Sequence, residues 1–157
     1  MMGNKPLEGV TILVVEDDDG HAELIRLHLV ESGLENPVLR FKDGQAILDF
    51  LYQRGSGLKR NEENTYVVLL DIRLPKVDGT EVLRQIKNDK TLKTIPVIIL
   101  TTTDDTQEIE KCYALGCNSY VTKPVEFGAF SEAINRLGNF LMIAQFPALG
   151  KEEMQDE

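Results

Sequence analysis

Short apolar runs alternate with segments of helical periodicity along this chain, and that alternation restricts the fold more than any other feature. The runs lie at 10–15 (VTILVV), 37–41 (PVLRF), 66–70 (YVVLL), 96–101 (PVIILT) and 118–122 (NSYVT). Each has strand length, PVLRF being the weakest of them, and all but NSYVT are apolar at most positions, the pattern of a strand buried on both faces. Between them Ala22, Ile25 and Leu29 share one face of a first helix that stops near Gly33. Asp43 is placed to cap a second helix carrying Ile47, Phe50 and Leu51. Val82, Leu83 and Ile86 mark a third helix over 79–87. Ile109, Cys112 and Tyr113 mark a fourth over 105–115, with Gly116 suited to its C′ position. Phe127, Phe130, Ile134, Leu137 and Leu141 form the stripe of a fifth. Strands alternating with helices predict a parallel sheet covered by helices on both faces. The βα units occupy 10–141, which leaves 1–9 as an N-terminal arm and 142–157 as a C-terminal tail. The polar segment RGSGLKRNEENT (54–65) reads as an extended surface loop, and the tail as an apolar stretch followed by a disordered acidic end.

In an open α/β sheet the carboxyl ends of the strands converge on one crevice, where ligands bind. Glu16 and Asp17 follow the first run, Asp71 follows the third, Thr101 closes the fourth and Lys123 follows the fifth. Carboxylates, a hydroxyl and an ammonium brought together suit a magnesium ion and a phosphoryl group. Magnesium takes oxygen ligands and keeps several waters, and a divalent cation relieves the repulsion of clustered carboxylates. Asp71 is then the candidate nucleophile toward an activated phosphoryl donor. Thr101 and Lys123 are the candidate donors to the phosphoryl oxygens. Gly79 fits a turn where a side chain would bring strain. Asp18, Asp19 and Asp78 read as helix caps. His21 and His28, without Cys or His partners at metal-ligand spacing, read as surface or boundary residues, and Cys112 as a small buried hydrophobe.

Charge narrows the partners. The 157 residues carry a net charge of −9 and a pI near 4.8, which argues against nucleic acid and anionic membranes as partners. No apolar stretch reaches the ~20 residues of a membrane span, and MMGNKPLEG lacks the apolar core of a signal peptide, so a cytoplasmic protein is expected. A haloacid-dehalogenase-type phosphatase would need an acid two residues after the nucleophile, where Arg73 stands. A flavodoxin-like FMN binder would need a phosphate-cradling loop where EDDDG stands.

The segments VVEDD, LLDIRLPKVDG, VIILTTTDD and SYVTKP, in this order, resemble the receiver domain of two-component response regulators over about residues 10–141. The resemblance implies an α/β, flavodoxin-like (βα)5 three-layer sandwich with a five-stranded parallel sheet of order 2-1-3-4-5. It implies that Asp71 is the phospho-acceptor and that Glu16 and Asp17, with Asp71 and the backbone carbonyl of Arg73, hold Mg2+. Thr101 and Lys123 would be the phosphate-binding residues, Tyr120 the aromatic switch partner of Thr101, and the Lys123–Pro124 bond cis. Glu16 in place of the more common Asp, and Thr102 where many receivers have Ala or Gly, are departures from the family pattern. A receiver of this kind is a phosphoryl acceptor rather than an enzyme, and its partner is a histidine kinase. The long loop and the apolar tail are similar to those of stand-alone regulators paired with phytochrome-type kinases. A degenerate receiver acting only through protein contacts is the alternative. The apolar residues that continue past Leu141 (Met142, Ile143, Phe146) further predict a homodimer through the fourth and fifth helices, the fifth strand and the tail, the alternative being a tail that folds back and caps its own core.

Overall fold

The apolar runs pair into one parallel sheet. Its strands are β1 (Val10–Val15), β2 (Val38–Phe41), β3 (Thr65–Leu70), β4 (Val97–Thr101) and β5 (Ser119–Thr122), in the order β2-β1-β3-β4-β5. The computed structural model describes residues 9–61 and 64–146, and the expected N-terminal arm up to residue 8 and the acidic end from 147 lie outside them. Among the described residues four α-helices connect the strands, α1 (Asp19–Glu31), α2 (Gly44–Tyr52), α3 (Gly79–Asn88) and α4 (Thr106–Leu115), and α5 (Phe127–Ile143) follows the last strand.

Side chains alternate across a strand, so each central strand feeds two separate cores. Leu13, Val15, Val68, Leu70, Val97 and Ile99 face α2, α3 and α4, meeting Ile47, Leu51, Val82, Leu83, Ile86 and Cys112. Ile12, Val14, Val67, Leu69, Ile98 and Leu100 face α1 and α5, meeting Ile25, Leu29, Phe130, Ile134 and Leu141. The result is the three-layer sandwich with all five strands parallel. β1 and β3 sit in the middle of it, register Val10 with Thr65 through Val15 with Leu70, and so place Glu16 and Asp71 side by side.

Local chemistry sets the helix ends. Asp18, Asp43, Asp78 and Asp105 are N-caps whose carboxylates accept backbone N–H groups of the first turn. Gly116 ends α4 at φ 109°, a left-handed conformation open to glycine at no steric cost. Asp19 departs from expectation: it is the first residue of α1 rather than a cap, and its carboxylate pairs with Arg40 at 2.9 Å.

Other expectations are corrected. Tyr113 is 50% exposed because α4 turns it toward the sheet edge, where its hydroxyl accepts from the Tyr120 N–H at 3.1 Å. Phe127 is 63% exposed although it is in phase with Ile134 and Leu141, because it lies in the opening turn of α5, where it meets the ring of His28 edge-on. The Lys123–Pro124 bond is trans, the ordinary preference of X–Pro by roughly 0.5–1 kcal/mol. α5 also crosses the expected boundary at 141 and runs to Ile143, with Leu141 fully buried and Met142 and Phe146 packed on the α1/α5-side core. The loop after α2 is held to the body: Arg60 Nε donates to the Leu51 carbonyl at 2.6 Å and the Asn61 N–H to the Tyr66 hydroxyl at 2.7 Å. Among the described residues no helix is long and apolar enough to cross a membrane.

Candidate functional site

The strand ends deliver a buried polar cluster. Glu16, Asp71, Thr101 and Lys123 are all buried at the carboxyl ends of β1, β3, β4 and β5, while Asp17 is exposed at the mouth. One carboxylate oxygen from each of Glu16, Asp17 and Asp71 lies within 4.8 Å of the others. The Lys123 ammonium donates to Glu16 Oε1 at 2.5 Å and to Asp71 Oδ2 at 3.4 Å. Its backbone N–H also donates to the Thr101 carbonyl at 2.6 Å, which ties the ends of β4 and β5 together.

The surrounding backbone holds this cluster in place. Asp71 Oδ1 accepts from the Ile72 N–H at 2.7 Å, and Glu16 Oε2 accepts from the Asp18 N–H at 3.2 Å. Arg40 on β2 braces the β1–α1 turn from behind, donating from Nε to the Glu16 carbonyl at 2.8 Å. α3 starts hard against the site. A Cβ on Gly79 would sit 2.2 Å from the Asp71 carbonyl oxygen, so glycine is required there by close approach rather than by a positive φ. Burial pushes the Glu16 carboxyl above its ordinary pKa, against the opposing pull of Lys123, which hydrogen-bonds to it.

Three clustered carboxylates, two of them on the Lys123 ammonium, leave an excess of negative charge in a site of oxygen donors, a set that suits a hard divalent cation. Thr101 Oγ1 is buried with no hydrogen-bond partner. A buried hydroxyl of that kind is free to meet an oxygen that arrives later. Tyr120 donates its hydroxyl to the Thr103 carbonyl at 2.7 Å and so couples β5 to the loop that leaves Thr101; burial pushes its pKa up to about 12. Thr102 is exposed. Arg73 is also exposed and lines an open groove of about 500 Å³ beside the acids, together with Asp17, Asp78, Thr80, Glu108 and Lys111.

The expected site residues Glu16, Asp17, Asp71 and Lys123 thus come together, Thr101 closes the adjoining strand, and Tyr120 and Arg73 flank them. One residue of the site was not foreseen. His21, read from the sequence as a surface or boundary residue, is a half-exposed one whose Nδ1 lies 3.2 Å from Lys123 Nζ. The available signal was position: His21 lies four residues after Asp17, in the first turn of α1 next to the strand ends.

Fold and site together define a doubly wound α/β domain with an acidic, lysine-capped crevice at its strand ends. Residues 12–135 match the family model of the response regulator receiver domain, and the chain belongs to that family. The probable methanogenesis regulatory protein FilR2 of Methanothrix harundinacea is 37% identical over 82% of this chain and 81% of its own length. The response regulator Rcp1 of Synechocystis is 38% identical over 71% of this chain and 75% of its own. Among solved structures, a response regulator receiver domain from Rhodospirillum rubrum superposes with a TM-score of 0.83 at 40% identity, covering 88% of this chain and 98% of that one. The Mn2+-bound form of Rcp1 gives 0.80 at 33% identity, over 88% and 99% of the two chains. The phosphorylated cyanobacterial phytochrome response regulator RcpA gives 0.78 at 34% identity, over 87% and 97%.

Proposed function

We propose that this protein is a single-domain response regulator that accepts a phosphoryl group on Asp71 from a histidine kinase, in a magnesium-dependent reaction in the cytoplasm, and signals through protein contacts. The observation that carries the reading is the buried Asp71 carboxylate, flanked by Glu16 and Asp17 within 4.8 Å and by the Lys123 ammonium at 3.4 Å. It is supported by the likeness to a phosphorylated regulator and to a manganese-bound one. The likeness to Rcp1 and RcpA favours a phytochrome-type kinase as the donor.

In this reading Glu16, Asp17, Asp71 and the Arg73 carbonyl hold the cation, which when bound supplies positive charge to offset the carboxylates and the phosphoryl oxygens. A carboxylate oxygen of Asp71 forms the new bond to phosphorus as the P–N bond of the kinase phosphohistidine breaks. The electron pair returns to the ring, which leaves as neutral imidazole with its proton on the other nitrogen. Lys123 and Thr101 then donate to the transferred oxygens. Thr101 moves inward to do so and Tyr120 takes up the space it leaves, a two-state element biased by one local charge. The regulator works as a homodimer, a reading supported by Tyr113, Phe140 and Ile143, large residues exposed on α4 and α5.

The test is transfer of labelled phosphate from an autophosphorylated histidine kinase. Wild-type protein should take the label only with magnesium present, and Asp71→Asn should take none. Undiminished labelling of Asp71→Asn, or full transfer in excess chelator, would overturn the reading.

A further inference from the structure

The Lys123 ammonium has three N–H donors and no acceptor, and it has three partners: Glu16 Oε1 at 2.5 Å, His21 Nδ1 at 3.2 Å and Asp71 Oδ2 at 3.4 Å. Two of these belong to the carboxylates already described. The third is an imidazole on α1, joined to Lys123 across 102 positions of sequence.

We infer that His21 is a positioning residue for Lys123, an acceptor that together with Glu16 fixes two of the ammonium's donors and leaves the third aimed at Asp71. The inference rests on the reading of Asp71 as the phospho-acceptor. Because lysine can only donate, Nδ1 of His21 must carry the lone pair and the ring proton must sit on Nε2. The imidazole is itself held from two sides. Asp18 caps α1 and accepts the His21 backbone N–H at 2.8 Å, which seats the residue in the first turn. The ring of Phe130, buried on α5, lies 5.8 Å from the imidazole centroid at 40°. His21 Nδ1 stands 4.0 Å from Glu16 Oε2, beyond hydrogen-bond reach, so the imidazole serves the lysine and does not compete for the carboxylate.

Such a brace has a chemical purpose. A lysine is a point charge on a flexible four-carbon stem, and one strong partner would not set the direction of its remaining donors. A second acceptor beside Glu16 turns the ammonium into an oriented donor before any phosphoryl group arrives. Pre-set orientation of that kind is what speeds a transfer step.

The experiment uses the full chain and phosphoramidate, a small donor with a P–N bond, in the presence of magnesium. His21→Phe keeps an aromatic ring against Phe130 but offers no acceptor, whereas His21→Gln restores an acceptor oxygen. His21→Phe should be phosphorylated about tenfold more slowly, the worth of one charge-assisted hydrogen bond, and His21→Gln should recover most of the rate. In the unphosphorylated wild type, imidazole 15N shifts should show a bare Nδ1 and a protonated Nε2, and the Lys123 ammonium should give a resolved, exchange-protected resonance. A rate for His21→Phe within about twofold of wild type, or equal slowing of the Phe and Gln variants, would remove the inference at a gain or loss well under one charge-assisted bond. So would a protonated Nδ1, whatever the variants do. Failure of wild type to label at all would instead remove the proposed role of Asp71, while the 15N measurement still decides the position of His21.

Discussion

Thr101 concentrates the residue-scale argument. Its hydroxyl is buried without a partner, and an unsatisfied buried hydroxyl costs about 1–3 kcal/mol relative to a satisfied one. Valine has nearly the same shape and no hydroxyl. Thr101→Val should therefore leave the unphosphorylated protein as stable as wild type or up to about 2 kcal/mol more stable in urea unfolding, while losing any phosphorylation-driven change in partner affinity. A loss of more than about 1 kcal/mol would mean that the hydroxyl already has a partner. Alkali gives a second test. Burial pushes the Cys112 thiol from 9.0 to about 11 and the Tyr120 hydroxyl from 10.0 to about 12. Both groups ionise in the unfolded chain before they do so in the folded one, so the stability they favour is complete below about pH 9 and falls as pH rises toward 12. Urea midpoints at pH 8 and pH 10.5 should show that fall, and Cys112 should resist thiol reagents at pH 8 until the chain unfolds. Equal midpoints would count against it.

At the scale of elements, α1 and α5 approach more closely than their apolar stripes require. A Cβ on Gly138 would lie 2.0 Å from Ser32 Oγ and 2.8 Å from Ser32 Cβ, just past the end of α1. Ser32 cannot swing away easily, because its Cβ is fixed to the backbone and its hydroxyl donates to the Leu29 carbonyl at 2.6 Å. Gly138→Ala should force the helices apart and cost about 1–3 kcal/mol, read as a lowered thermal midpoint; an unchanged midpoint would show that α5 shifts freely. Nothing in the sequence marks Gly138, since helical periodicity tells which positions face inward and not how near the neighbour comes. The strands were legible for the opposite reason: near-continuous apolar runs such as VTILVV and YVVLL have few ways to be buried, and the acids that end them stand out. Phe127 and Tyr113 were misassigned because phase along a helix does not say where the sheet beneath it stops. His21 stayed hidden because its partner Lys123 is brought to it only by the fold. Asp18 and Asp78 were readable as caps because their chemistry is local, within three residues.

For the whole molecule the fold limits where the proposed pairing can occur. Leu141 is fully buried and Met142 and Phe146 pack on their own core, so the apolar surface left for a second copy is narrower than the sequence stripe and centres on Phe140 at 51% and Ile143 at 77% exposure. Sedimentation should give a dimer for the intact chain and a monomer for Phe140→Asp with Ile143→Asp, both folded. A wild-type monomer at high micromolar concentration, with or without phosphate on Asp71, would remove the dimer. The two-sided core also sets an order on synthesis. α1 emerges early, yet Ile25 and Leu29 are covered by Phe130, Ile134 and Leu141 of α5. The 112 residues from Val30 to Leu141 take roughly 6–22 s to make at about 5–20 residues per second. For that interval the apolar stripe of α1 stands beside a half-built sheet, waiting for its cover, and the nascent chain is a ready client for ribosome-associated chaperones.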